Sequence, residues 1–186
     1  MSTIILGFVG PMASGKGTCC QYLADRYGAR SHRFSTVLRD ILNRVYLPHT
    51  RDNLQQVSST LREAFGDDLL ARAIAQDVGA DTGALVTVDG VRRLPDIKFL
   101  RNMDGFFLIG IGADERVRFT RITQRNENPD DERKTFADFV REGQQEAERQ
   151  IAEVMASADF TVDNNGDYPA LYAQLDTILT KIRSRG

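Results

Sequence analysis

The stretch "GFVGPMASGKGTCC" (residues 7–20) limits the possible folds more than any other part of the chain. It continues an apolar run, "TIILGFV" (3–9), whose β-rich composition is typical of a buried strand. After the glycines, Cys19, Leu23 and Tyr27 recur four residues apart, which is helical spacing. The sequence therefore predicts a glycine-rich loop between a strand and a helix, which is the setting of a phosphate-binding loop.

The spacing inside this loop predicts its chemistry. Gly10, four further residues, Gly15 and Lys16 match the Walker A pattern. Glycines allow backbone angles that turn successive N–H groups towards an anion, and the N-terminus of the following helix adds its positive end. Lys16 supplies a positive charge to the β- and γ-phosphates. The residues predicted to bind ATP here are Gly10, Met12, Ala13, Ser14, Gly15, Lys16, Gly17 and Thr18.

The rest of the chain alternates between strand-like and helix-like segments. Continuous apolar runs, "ALVTVD" (84–89) and "FFLIGI" (106–111), are typical of strands buried on both faces of a parallel sheet. "ARSHRF" (29–34) and "DFTVD" (159–163) predict two shorter strands. Helical patterns fill the intervals, and we find no repeat, low-complexity tract or linker. These features predict a single doubly wound α/β domain over residues 1–186, with a parallel five-stranded sheet.

Composition narrows the range of partners. Charged residues make up 27% and hydrophobic residues 41% of the 186 residues, as in globular domains. The net charge of −2 and the pI near 5.7 argue against a general nucleic-acid binder. No apolar run approaches the ~20 residues of a membrane-spanning helix, and the N-terminus lacks a signal-peptide pattern. We expect a cytoplasmic monomer or homodimer without nucleic-acid or membrane partners, in which Cys19 and Cys20 fill the core.

The loop departs in one detail from the general pattern. Gly17 stands where many P-loop proteins place a Ser or Thr ligand for magnesium, and Thr18 comes one residue later. The stretch "GKGT" (15–18) resembles adenylate kinase and its nucleoside monophosphate kinase relatives. In those enzymes phosphates, water and an acidic side chain hold most of the metal shell, and the threonine contacts phosphate. The resemblance leaves Thr18 as a second metal-ligand candidate beside a carboxylate elsewhere in the chain.

That carboxylate is predicted at the end of a buried strand. "VTVDGVRR" (86–93) places Asp89 there, where it can hold the magnesium shell as a Walker B residue or orient an acceptor hydroxyl. A role as a turn cap is the structural alternative. Arg92 lies just past the same strand and is predicted to point into the cleft, on the acceptor.

A second stretch on the acceptor side is "RFSTVLRD" (33–40), which follows the second strand beside the loop, where doubly wound sheets bind ligands. It looks like a shortened form of the adenylate kinase stretch in which an arginine grips the acceptor monophosphate. Arg39 is the matching position, although a solvated helix arginine is the alternative. Phe34 is expected to pack or to stack on the acceptor base, and Ser35 joins it as a candidate contact.

An arginine-rich helix is predicted on the other side of the loop. "DERVRFTRITQR" (114–125) places Arg118, Arg121 and Arg125 on one stripe, where like charges repel unless an anion joins them. A transferring phosphoryl group is such an anion, so Arg121 and Arg125 are predicted to be catalytic. A salt-bridged surface helix is the alternative. The polar segment that follows, "NENPDDERK" (126–134), resembles the lid of these kinases, which gives a lid at about 114–135.

Most of the chain resembles the nucleotide-kinase-like P-loop proteins of archaea, related to adenylate or dephospho-CoA kinases, and the phage-type deoxynucleoside monophosphate kinases. The matching stretches are "TRDNLQQVSSTLREAFGDDLLARAI" (50–74), "VDGVRR" (88–93) and "RFTRITQR" (118–125). The resemblance implies an acceptor region of helices at about 35–78, with Arg51 and Arg62 near the acceptor. It also implies that the turn "DNNGD" (163–167) lies against the adenine of ATP, through Asn165 and Gly166.

Together these observations predict an enzyme that uses ATP and Mg²⁺. The γ-phosphoryl group would pass to a nucleoside or deoxynucleoside monophosphate, with Lys16, Asp89, Arg121 and Arg125 as catalytic residues and Asp89 and Thr18 at the metal. Dephospho-CoA or another small metabolite is the alternative acceptor, although the Asp expected soon after the second strand of a dephospho-CoA kinase is absent. A P-loop ATPase or nucleotide-dependent regulator without an acceptor is the alternative of another class.

Overall fold

The computed structural model describes residues 3–125, 135–143 and 146–184. Within them the chain forms a five-stranded sheet. The strands are β1 (Ile4–Val9), β2 (Arg30–Arg33), β3 (Leu85–Val91), β4 (Phe106–Gly112) and β5 (Phe160–Asp163).

Helices connect the strands. They are α1 (Lys16–Tyr27), α2 (Phe34–Arg44), α3 (Arg51–Phe65), α4 (Leu69–Ala80), α5 (Leu94–Ile97), α6 (Glu115–Arg125), α7 (Phe136–Gly143), α8 (Glu146–Ala156) and α9 (Tyr168–Arg183), with a 3₁₀ turn at Leu100–Asn102. Three of them, α2, α3 and α4, lie between β2 and β3 in the chain, where the sequence predicts the acceptor-binding helices.

The strand order is β2-β3-β1-β4-β5, and every neighbouring pair is parallel. This confirms the predicted five-stranded doubly wound sheet. The chain leaves central β1 through α1 towards β2 on one side, and later returns to β4 on the other side. Ligands bind at such a switch point, outside the carboxyl ends of the strands. The phosphate loop follows β1 and therefore lies at this point.

Apolar residues cover both faces of the sheet. Along β1, Ile5 and Val9 join one buried cluster, which also contains residues of α2, α4 and α8. Leu6 and Phe8 join a second cluster with residues of α1 and α9. Side chains of a strand alternate between faces, so a continuous apolar run produces a sheet that is covered by helices on both sides.

The adjacent cysteines have the packing role predicted for them. Cys19 and Cys20 are both buried in the second cluster, and both are free thiols. Burial raises the pKa of each to about 12, so both remain protonated near neutral pH. They therefore contribute as small apolar side chains of α1.

None of the helices in the described part of the chain is long and apolar enough to cross a membrane.

Candidate active site

The backbone of the phosphate loop has the geometry of an anion-binding nest. Ala13 has a φ of 60° and Gly15 a φ of 102°, both in the left-handed region. Gly10 is required for a different reason, because a Cβ atom there would lie 2.4 Å from the carbonyl oxygen of Ile111. Residues with left-handed angles turn their N–H groups to one side of the chain. The loop can therefore surround a phosphate with backbone donors next to the N-terminus of α1.

Lys16 lies across this loop. Its Nζ donates hydrogen bonds to the carbonyl oxygens of Gly10, at 2.7 Å, and Pro11, at 2.9 Å. Both acceptors belong to the loop itself, so the ammonium group lies where a bound polyphosphate would pass. A phosphate offers stronger, charge-assisted acceptors than a carbonyl does. Lys16 is thus placed to exchange loop carbonyls for phosphate oxygens.

Asn164 fixes the loop from the other side of the sheet, a contact that the sequence analysis did not identify. Its Nδ2 donates to the carbonyl oxygen of Ser14 at 2.8 Å, and its backbone N–H donates to that of Gly112 at 2.8 Å. A Cβ on Gly15 would lie 2.1 Å from this Nδ2, so the glycine leaves room for the amide. The available signal was a polar residue directly after the last strand, at the edge where the loop lies.

The neighbouring residues, which the sequence analysis placed at adenine, hold the turn together. The Asn165 side chain accepts from the N–H of Asp114 at 2.7 Å and donates to the carboxylate of Asp163 at 2.8 Å. Gly166 is exposed. The turn after β5 is thereby tied to the start of α6. Contact of Asn165 and Gly166 with adenine stays a prediction.

We expect Asn164→Ala to lower the free energy of unfolding by about 1–3 kcal/mol, because it leaves a buried carbonyl of Ser14 unpaired. Asn165→Ala is the matched control, since the side chain is exposed; it should cost about 1 kcal/mol or less. Urea denaturation followed by circular dichroism measures both. Equal stability losses in the two variants would contradict the role of Asn164 in fixing the loop.

Of the three predicted arginines on α6, Arg118 contacts the loop and Arg121 contacts Asn164, which holds the loop. Arg118 Nη1 donates to the carbonyl oxygen of Met12 at 3.2 Å, so this residue contacts the loop itself. Arg121 Nη2 donates to the carbonyl oxygen of Asn164 at 2.9 Å. The Nη1 of Arg121 is buried without a hydrogen-bond partner among the described residues. The side chain of Arg125 and the predicted lid segment 126–134 lie outside the described residues.

Asp89 lies at the carboxyl end of β3 with its side chain 10% exposed. Its Oδ2 lies 3.0 Å from the Nη2 of Arg33, the last residue of β2 and its partner in the strand register. Arg33 was not among the predicted site residues, because its relation to Asp89 depends on β2 and β3 being neighbours. The predicted Walker B carboxylate is therefore part of an ion pair beside the loop.

The donor set fits magnesium that is bound mainly by phosphates. No group of three or more metal-ligating side chains occurs within residues 3–125, 135–143 and 146–184. Magnesium commonly uses one or two carboxylates, water and the phosphates of a nucleotide. Asp89 can supply the carboxylate, and the half-buried Thr18 in the first turn of α1 can supply a hydroxyl.

A second group of charges lies past the end of β3. Arg62 of α3 is 13% exposed, and its Nη2 lies 3.9 Å from Oδ1 of Asp96. Burial, and then the nearby Arg93, lower the pKa of Arg62. Burial raises the pKa of Asp96, whose Oδ2 accepts the backbone N–H groups of Arg92 and Arg93 at 3.0 Å each.

The charge balance of this group favours an added anion. Arg62 also donates to the Ser58 hydroxyl, yet its Nε and Asp96 Oδ1 are buried without hydrogen-bond partners among the described residues. One buried carboxylate thus faces more than one guanidinium. A phosphate would pair the remaining donors.

The structure distributes the other predicted acceptor residues differently. Phe34 is 6% exposed and packs in the core, so it has the packing role rather than a stacking surface. Arg92 is exposed, whereas Arg93 is half-buried and lowers the pKa of Arg62 more than Arg92 does.

Three further predicted acceptor residues lie on α2 and α3. Arg39 of α2 is partly exposed, and its Nη1 lies 3.4 Å from Nδ1 of His49. Ser35 is half-buried in the first turn of α2. Arg51 begins α3, and its side chain lies outside the described residues.

The parallel sheet, its strand order and the loop after β1 define an α/β P-loop fold of the kinase-like type. The AAA domain family (AAA_17) matches residues 9–138, more than half of the 186 residues, and the chain belongs to this family.

Individual proteins are also similar to this chain over nearly its whole length. A UPF0200 protein of Saccharolobus islandicus is 24% identical over 186 residues, which covers 98% of this chain and 95% of the relative. A shikimate kinase structure from Bacteroides thetaiotaomicron has a TM-score of 0.65 at 13% identity, covering 98% and 99% of the two chains. A shikimate kinase from Acinetobacter baumannii, solved with shikimate, has a TM-score of 0.55 at 18% identity, covering 99% and 95%. At these identities the solved structures show the shared fold.

Proposed function

We propose that the chain is a phosphotransferase that moves the γ-phosphoryl group of ATP to a nucleoside or deoxynucleoside monophosphate. One observation carries the proposal: on both sides of the phosphate loop, a buried guanidinium nitrogen has no hydrogen-bond partner among the residues that the structure describes. Arg121 approaches beside β5, and Arg62 lies past β3. Since β1 is central in the sheet, these arginines flank the loop as a phosphoryl donor and a phosphorylated acceptor would.

The donor half consists of the loop, Lys16 and α6. Backbone N–H groups and Lys16 bind the β- and γ-phosphates, and the buried Nη1 of Arg121 is available to the nucleotide. Asp89, with Thr18, would hold the Mg²⁺ that accompanies ATP in this fold class. When bound, the metal neutralises negative charge on the phosphate oxygens. Arg125 and the lid remain part of the proposal as catalytic elements that close over ATP.

The acceptor half consists of α2, α3, α4 and α5, within a single kinase domain. Burial, and then the nearby Arg93, lower the pKa of Arg62, and a phosphate dianion beside the two arginines would offset their mutual repulsion. Guanidinium forks bind such a group through paired hydrogen bonds. Arg39 and Arg51 are proposed to extend this site. The two-arginine arrangement favours a monophosphate over an uncharged acceptor.

The chemistry then requires little from the protein beyond positioning. A monophosphate is already ionised at neutral pH, so its oxygen can attack the γ-phosphorus in line without a strong base. The bond between the γ-phosphorus and the oxygen bridging to the β-phosphate breaks, and ADP leaves. Lys16 and Arg121 neutralise the charge that spreads over the transferring group.

A panel of acceptors tests the proposal. The protein with Mg²⁺ and ATP is incubated separately with each common (deoxy)nucleoside monophosphate, dephospho-CoA, shikimate or no acceptor. ADP formation is followed by a coupled assay, and the product is identified by ³¹P NMR. We expect at least one monophosphate to raise ADP formation more than tenfold and to yield a diphosphate. Turnover that no acceptor changes would instead indicate an ATPase, and turnover only with dephospho-CoA would indicate the small-metabolite alternative.

A further inference from the structure

Arg33 lies between the predicted metal carboxylate and the phosphate loop. Its Nη2 is 3.0 Å from Oδ2 of Asp89, and a Cβ atom on Gly17 would lie 3.7 Å from the same nitrogen. The guanidinium group thus contacts Asp89 while lying beside the first turn of α1. This turn follows Lys16 directly, so Arg33 lies near the phosphates of any nucleotide in the loop.

The two side chains of the ion pair differ in solvent exposure, and therefore in how freely they can change conformation. The Asp89 side chain is 10% exposed and the Arg33 side chain is 45% exposed. The carboxylate is therefore held by the surrounding strands, whereas the arginine can rotate on its flexible side chain. An ion pair with a half-exposed partner is only weakly stabilising, so a stronger ligand can replace either contact.

The Oδ2 atom of Asp89 cannot accept a hydrogen bond from Arg33 and bind a hydrated magnesium ion at full strength at the same time. A guanidinium on Oδ2 competes with a hydrated cation for that carboxylate. Phosphate oxygens, in turn, are good partners for a guanidinium, because its N–H groups match their geometry.

We propose that Arg33 is a nucleotide-binding residue that exchanges partners: it pairs with Asp89 in the metal-free protein and binds the terminal phosphates once Mg²⁺ engages Asp89. The inference rests on the proposed function in one respect, namely that ATP binds at the loop. Metal and arginine are then linked. Without the metal, Arg33 shields the bound polyphosphate from the carboxylate; with the metal, Arg33 gives up Asp89 and gains phosphate.

This linkage predicts a change in the ratio of two dissociation constants. In Arg33→Gln, the bare Asp89 carboxylate repels metal-free ATP, so the Kd measured in EDTA should rise at least tenfold. The Kd for ATP with saturating Mg²⁺ should change less than threefold, because the lost phosphate contact is offset by the lost competition for Asp89. The ratio of the two constants therefore rises, and linkage requires tighter Mg²⁺ binding to the ATP complex by the same factor. Isothermal titration calorimetry measures both constants without turnover.

Arg30→Gln is the matched control. Arg30 is on the same strand, 60% exposed and paired with Asp81 at 3.2 Å, and its replacement changes the net charge equally. Its ratio should stay within about twofold of the unmutated protein. Arg33→Lys keeps the positive charge and should retain most of the metal-free affinity, which also covers the case in which Arg33→Gln folds poorly. In an Asp89→Asn background, Arg33→Gln should no longer change the ratio, since the two residues act as a pair.

The outcomes separate the inference from the proposed function. An unchanged ratio in Arg33→Gln, with normal ATP binding by the unmutated protein, overturns the partner exchange and leaves the kinase proposal in place. An equal change in Arg30→Gln overturns it as well, because general charge would then explain the result. If the unmutated protein binds ATP neither in EDTA nor with Mg²⁺, the partner exchange and the proposed function are both overturned.

Discussion

Lys16→Ala is expected to reduce phosphoryl transfer by about 10³-fold or more, the scale on which loss of a cation at a transferring phosphoryl group acts. The ammonium group donates to the carbonyls of Gly10 and Pro11, so its removal takes away a positive charge that lies within the loop. Turnover is measured at saturating ATP with the best acceptor from the panel.

Two controls make this result specific. The fold should persist in Lys16→Ala, because the side chain faces the loop rather than the core; circular dichroism and thermal unfolding check this. Lys181→Ala removes an exposed lysine from α9 and should leave turnover unchanged. Near-normal turnover in a folded Lys16→Ala protein would contradict the assignment of this loop as the ATP site.

The parts of the structure that could be predicted from the sequence are those that depend on residues close to one another in the sequence. The Walker A spacing identifies the loop because Gly10, Gly15 and Lys16 are close in sequence. The continuous apolar runs at 84–89 and 106–111 identify β3 and β4 as buried strands for the same reason. Once strands and helices alternate, a parallel sheet with the loop at its carboxyl edge follows.

The contacts that were missed depend on strand order and register. Arg33 pairs with Asp89 because β2 lies beside β3, and no local pattern states this. Asn164 reaches Ser14 across 150 residues of sequence. These residues become visible only after the sheet is assembled, since their partners come from other strands.

Arg92 and Arg93 are neighbours in the chain, but they differ in burial. This difference is the basis of the second prediction with a large expected effect. Arg92 was predicted to bind the acceptor because it follows β3 directly. In the structure, α5 begins at Leu94, and Asp96 binds the backbone of both arginines. Arg92 is left exposed, while Arg93 is half-buried and acts on Arg62. Arg92 stays a predicted acceptor residue, and the greater burial of Arg93 beside Arg62 is the reason for adding Arg93 to the proposed acceptor site.

We accordingly expect Arg93→Ala to raise KM for the acceptor roughly ten- to a hundredfold, the equivalent of the ~1.5–3 kcal/mol that a charge-assisted contact contributes. KM for ATP should change less than threefold, because Arg93 is proposed to bind the acceptor and not ATP. Steady-state kinetics with each substrate varied in turn provides both constants. Arg39→Ala should also raise KM for the acceptor, because Arg39 is proposed to extend the same site.

Arg92→Ala is the matched control for this prediction. It also removes one arginine charge, but from an exposed side chain that precedes Arg93 by one residue. Its acceptor KM should change less than threefold. Arg62→Lys is preferable to Arg62→Ala for the partner position, because removing the charge altogether would leave the buried Asp96 carboxylate without its ion pair and destabilise the fold. Lysine keeps the charge but loses the planar fork, so it should raise the acceptor KM while the protein stays folded. A larger effect from Arg92→Ala than from Arg93→Ala would mean that the phosphate binds on the exposed side of α5, outside the charge group around Arg62.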